Sequence, residues 1–163
     1  MAEIKSTLDL IMERTKNLTL TEDEKSALHH DEQVSRVRGW VQRYEDRILR
    51  TAEIRKDLDA ELKVLLRREI LERLDPGSSN EILYQMLEEV LDISREPYEE
   101  VVERFRRSIA LEEDRKGSEQ LATLAAAGIS GSAVVPNPDG DREGKMFHDR
   151  IREECRRELL MAS

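Results

Sequence analysis

The chain has 163 residues, a net charge of −9, 39% charged residues and only 4% aromatics. Seven Gly and four Pro are too few for an all-β domain, and a composition rich in Leu, Glu and Arg predicts an all-α one. No apolar run approaches the roughly 20 residues that span a bilayer, and the N-terminus lacks the continuous apolar stretch of a secretory signal. The acidic balance disfavours general nucleic-acid binding, which needs a basic face.

The first predicted helix covers about 3–17, where Ile4, Leu8, Ile11, Met12 and Thr15 recur at helical spacing. Thr21 and Glu24 then form the two ends of a capping box. The second helix is expected over 22–50, with Val34, Val37, Val41, Tyr44 and Ile48 on one face and a bend allowed at Gly39. The third runs over 52–74. Its row of Ile54, Leu58, Leu62, Leu66, Ile70 and Leu74 drifts about 40° per step, because four residues turn through about 400°. A helix apolar on so much of its surface is expected to be central and to touch two neighbours.

Asp75-Pro76-Gly77 stops that helix, and Ser78 or Ser79 is placed to cap a fourth over 80–94. Pro97 suits the first turn of a fifth helix over 96–115, with Tyr98, Val101, Val102, Phe105 and Ile109 facing inward. Glu100 with Arg104, and Glu103 with Arg107, are expected as outward i,i+4 pairs. Residues 117–128 are Ala-rich and predict a short helix. Residues 128–140 hold clustered Gly and Pro and read as a linker. A last helix over 141–161 carries Phe147, Ile151, Cys155 and Leu159. The expected architecture is an irregular bundle of five main helices. It divides into a helical body at 1–116, a short helix with linker at 117–140, and an amphipathic helix at 141–163.

No constellation carries chemistry. His29 and His30 are adjacent and point about 100° apart on a helix, which does not chelate one metal well. Asp139, Asp141, Glu143 and Gly144 resemble the start of a calcium loop, but Arg150 stands where the bidentate Glu belongs. The Gly128–Gly131 stretch lacks the Gly-Lys-Ser/Thr ending of a phosphate loop, and Ser130 and Ser132 have no assignable base. The lone Cys155 permits no internal disulfide and no cysteine zinc site, so a reducing cytoplasm is expected. It reads as a small inert hydrophobe. No catalytic residue, cofactor or metal ligand is assigned.

Binding residues are more legible. Arg36, Arg43, Arg47 and Arg50 fall within about 60° of one another on an uninterrupted helix, with Trp40 beside them. Arg and Trp are enriched in interface hot spots. Residues 81–103 carry eight acids against Arg95 alone, a face that another protomer's arginines or a basic partner would complement. Phe147 and Ile151 on the last helix complete the candidate partner surface. The expected function is a non-enzymatic cytoplasmic interaction protein: an adaptor, assembly factor or helical chaperone that binds another protein or itself. The alternative is a small nucleic-acid-binding regulator that uses the Arg stripe.

Overall fold

The computed structural model describes residues 21–129, 131 and 142–162. The predicted helix at 3–17 and most of the predicted linker lie outside the described residues. Six helices are present among the described residues: α1 (Glu22–Glu45), α2 (Thr51–Lys56), α3 (Ala60–Arg73), α4 (Glu81–Leu91), α5 (Glu96–Ala126) and α6 (Arg142–Met161). No strand occurs among them, so the fold is all-α as composition required. Two compact units divide the chain, Met1–Arg36 and Val37–Ser163.

In the first unit, the expected capping box is formed. The Thr21 amide donates to the Glu24 carboxylate at 2.8 Å, and the Glu24 amide donates to Thr21 Oγ1 at 3.2 Å. Residues 21–32 are all exposed, so this part of α1 is held by local bonds such as Lys25–Glu22 at 2.7 Å.

The second unit holds the core. Val37, Trp40 and Val41 come from the C-terminal half of α1 and Ile54 from α2. Leu62, Leu66, Ile70 and Leu71 come from α3, and Leu83, Met86, Leu87 and Val90 from α4. Tyr98 and Val102 of α5 join Cys155 and Leu159 of α6. Helix α3 packs on both α4 and α6, which is the central position that its wide apolar surface required.

The predicted third helix is two helices. The Asp59 carboxylate accepts the Leu62 amide at 2.8 Å and starts a new helix there. The break restarts the drifting apolar row. It leaves Ile54 free to face α4 while Leu62, Leu66 and Ile70 are buried along α3.

The start of α4 also differs from expectation. Asn80 occupies the cap position, not Ser78 or Ser79, and its side chain does not bond to the helix. It reaches back to Asp75 instead, accepting from the Asp75 amide at 3.0 Å and donating to its carbonyl at 2.9 Å. The Asp75 carboxylate accepts from the Gly77 amide at 2.9 Å and the Ser78 hydroxyl at 3.0 Å. The Asp75–Asn80 turn is thereby closed on itself, which satisfies the buried Asn80.

Pro97 lies in the first turn of α5, as expected. The helix then continues to Ala126, so the predicted short helix at 117–128 is its C-terminal third. Arg104 pairs with Glu158, and His148 lies 3.6 Å from Glu113. These two contacts fix an antiparallel register between α5 and α6. The same register sets Ile109 level with Ile151, Val102 with Leu159 and Gly117 with Gly144, and all six are buried. Gly117 is buried inside α5 and does not end it. The expected outward pairs are replaced: Arg104 reaches α6, and Glu103 is taken by Arg106.

Candidate interaction surface

Helix α1 ends at Glu45, five residues before the expected boundary. The Ile48 amide donates to the Arg43 carbonyl at 2.8 Å and the Arg47 amide to the Tyr44 carbonyl at 3.0 Å. This is the paired bonding of a Schellman motif, which needs a left-handed residue after the helix and is usually built on Gly. Here that residue is Arg47, at φ 57°. The chain then turns directly into α2, whose first turn is closed by the Glu53 carboxylate accepting the Arg50 amide at 2.9 Å.

The corner so formed presents an unusual combination. Ile48 is 71% exposed. Arg43, Arg47 and Arg50 flank it in sequence and are exposed, and none makes an ion pair among the described residues. The nearby Asp46 is turned toward the Gln42 amide at 3.3 Å.

Elsewhere in this unit arginines are committed to the fold. Arg73 bridges Glu45 at 2.7 Å and Glu69 at 3.0 Å, while Arg38 holds the other oxygen of Glu69 at 3.3 Å. Arg55 donates to the Glu89 carbonyl at 2.7 Å and the Asp92 carboxylate at 2.6 Å. Arg95 stands among Glu81, Glu88 and Glu99 at 3.0, 3.8 and 3.5 Å. Arg152 binds Asp75 at 3.2 Å.

These pairs reassign the expected acidic face. Glu81, Glu88, Glu99, Glu103 and Asp92 are matched by arginines of the same chain. Glu89 accepts from the hydroxyls of Tyr44 at 3.1 Å and Thr51 at 2.9 Å. Six of the eight acids of 81–103 thus have partners in the same chain, while Glu81, Glu88 and Asp92 stay exposed to solvent and Glu99 is half-buried.

The expected partner residues separate into two groups. Trp40 is 8% exposed and belongs to the core, so it does not stand beside the arginines as a surface anchor. Arg36 is exposed two turns before Arg43 on α1. Arg47 and Arg50 lie beyond the helix end, so no continuous stripe forms. Ile151 is 8% exposed on the inner face of α6, and Phe147 is half-buried with the Arg150 guanidinium 5.6 Å from its ring. Ile151 is thereby withdrawn from solvent, while the ring contacts of Phe147 are with His148 and Arg150 of its own helix. Periodicity alone places Ile48 in the core; its exposure follows from the early end of α1.

Elsewhere, the buried Tyr84 hydroxyl, Arg67 Nε and Gln33 Oε1 have no hydrogen-bond partner among the described residues. Cys155 is fully buried, and that burial pushes its thiol up to about 11. Burial likewise raises the Tyr84 phenol to about 12, reinforced by Glu99. Tyr84 lines a cleft of about 390 Å³ with Ser78, Glu81, Glu103 and Arg106, where the charged walls already pair with one another or with Arg95. His29 bonds with Gln33 at 3.1 Å within α1. No group of three His, Cys, Asp or Glu among the described residues is arranged to hold a metal. No helix among them is long and apolar enough to cross a membrane. Ser130, Ser132, Asp139 and Asp141 lie outside the described residues. No protein-family model, curated protein or solved structure matches this chain.

Proposed function

We propose that the chain is a non-enzymatic cytoplasmic protein-interaction module, an adaptor, assembly factor or helical chaperone, that binds through its α1–α2 corner. One observation carries this reading. Among the described residues, Arg43, Arg47 and Arg50 are left without ion pairs around an exposed Ile48, in a unit whose other arginines are widely used to hold the fold. Exposed arginines beside an apolar side chain match the composition of interface hot spots. The buried, protonated Cys155 is consistent with a reducing compartment. Helix α6 is not the docking element of this proposal, because Cys155 and Leu159 commit it to the core.

The test is affinity capture from a lysate of cells that make the protein. The baits are the full chain and its Arg43→Glu/Arg47→Glu/Arg50→Glu variant, both checked for helicity by circular dichroism. We expect a protein retained by the parent chain and lost by the variant; a second copy of the chain counts as such a partner. Equal capture by both baits would remove the corner from the account.

A further inference from the structure

The geometry points to an acidic protein segment carrying an apolar anchor as the occupant of the α1–α2 corner, with Ile48 as the central contact and Arg43, Arg47 and Arg50 as its charged rim. This inference rests on the interaction-module reading and adds the partner's chemistry.

The backbone supplies the anchor. In a Schellman motif, the residue at the Ile48 position usually packs against the helix it follows. Here the residues five and six positions back are Arg43 and Gln42, neither of them apolar, and Ile48 remains 71% exposed. The turn thus holds an apolar side chain out into solvent. It does so through a non-glycine residue in the left-handed region, a conformation less favourable for any residue that carries a Cβ.

The charges select the partner. Three guanidinium groups without carboxylate partners among the described residues offer forked donors that match carboxylate geometry. The carboxylates nearest in sequence are already engaged: Glu45 with Arg73, Asp46 with Gln42, and Glu53 with the Arg50 amide.

The remaining polyanion is nucleic acid, and the observations favour protein over it. The chain as a whole carries −9, which repels a long, uniformly charged rod. A short acidic segment meets mainly the local field, because salt screens charges beyond about 8 Å. A phosphate backbone also offers no apolar surface to cover Ile48, whereas a Leu or Phe on a peptide does.

Fluorescence anisotropy of the full chain distinguishes these. The probes are a blocked peptide of about twelve residues with Glu and Asp around one central Leu, the same peptide with Leu replaced by Ser, and a duplex DNA of about equal charge. Saturable binding of the first peptide is expected. It should weaken about fivefold on the Leu-to-Ser change or on Ile48→Ser, and about tenfold on Arg47→Glu. Tighter binding to DNA, indifference to Ile48→Ser and Arg47→Glu, or no saturation up to about 1 mM peptide overturns the inference. Capture of a cellular partner through the corner while the acidic peptide fails would retain the interaction module and discard the acidic-segment chemistry. Failure of both would discard both.

Discussion

The arginines of the α3–α6 body and those of the α1–α2 corner are the same side chain put to opposite uses. In the body, Arg73 joins α1 to α3 through Glu45 and Glu69, Arg152 joins α6 to the Asp75 turn, and Arg104 joins α5 to α6. Each fixes one element against another. At the corner, Arg43, Arg47 and Arg50 form no ion pair among the described residues and flank an exposed isoleucine in sequence. A long cation that bridges two elements contributes to folding. One that bridges none is available to a partner.

The largest expected effect lies in the body. Leu159→Ala should destabilise the chain by about 2–5 kcal/mol in urea unfolding, because Leu159 is fully buried where α6 meets the core. A loss under about 1 kcal/mol would mean that α6 is not part of the cooperative fold.

Arg73→Ala comes next, at about 2 kcal/mol, because Glu69 is only 12% exposed and would be left with the more solvated Arg38 alone. An unchanged midpoint would show that the body's pairs are as dispensable as those of an ordinary surface.

The pH dependence sharpens the same contrast. Burial alone would raise the Asp75 carboxyl, but the Gly77 amide, the Ser78 hydroxyl and Arg152 together hold it below its ordinary value. Its contribution is therefore present above the ordinary carboxylate range and is lost as pH falls through the folded value. Asp75→Asn should flatten the acid limb of the stability profile. On the alkaline side, Cys155 keeps its proton in the folded state up to about 11, against 9.0 for an ordinary exposed thiol. Stability should fall as pH rises through that window, and Cys155→Ala should reduce the fall. An identical alkaline limb in the variant would refute the burial account of this thiol.

The smallest effects are gains. Arg47→Gly should stabilise the chain by about 0.5–1 kcal/mol by relieving the left-handed backbone, and should weaken partner binding at the same time. Gly39→Ala should stabilise by a similar amount, since a methyl there meets nothing within 4 Å and lies inside a continuous helix. Thermal melts of the two variants check both; a loss at Arg47→Gly would show that its side chain serves the fold.

The all-α class, the Thr21–Glu24 box, the Pro97 start and the central place of Leu62, Leu66 and Ile70 are legible in the sequence because each rests on local spacing. The break at 57–59 is written in Asp59, a capping residue ahead of a new apolar row, but the continuous i,i+4 pattern on either side masks it. The length of α5 is hidden because Gly117 reads as a stop in isolation. The candidate surface is half legible. The arginines stand out by type, whereas the exposure of Ile48 is hidden because periodicity cannot show that α1 ends at Glu45, and the burial of Trp40 is hidden because it comes from tertiary packing. The acid-rich stretch misleads for a related reason: Tyr44 and Arg55, which bind Glu89 and Asp92, are brought to it only by tertiary packing.

The most direct test compares urea unfolding of the Arg43→Ala/Arg47→Ala/Arg50→Ala chain with that of Arg73→Ala. If the corner arginines are reserved for a partner, the triple variant unfolds within about 0.5 kcal/mol of the parent while Arg73→Ala falls well below it. A triple variant that loses as much stability as Arg73→Ala would show that the corner arginines hold the fold, and would contradict the account.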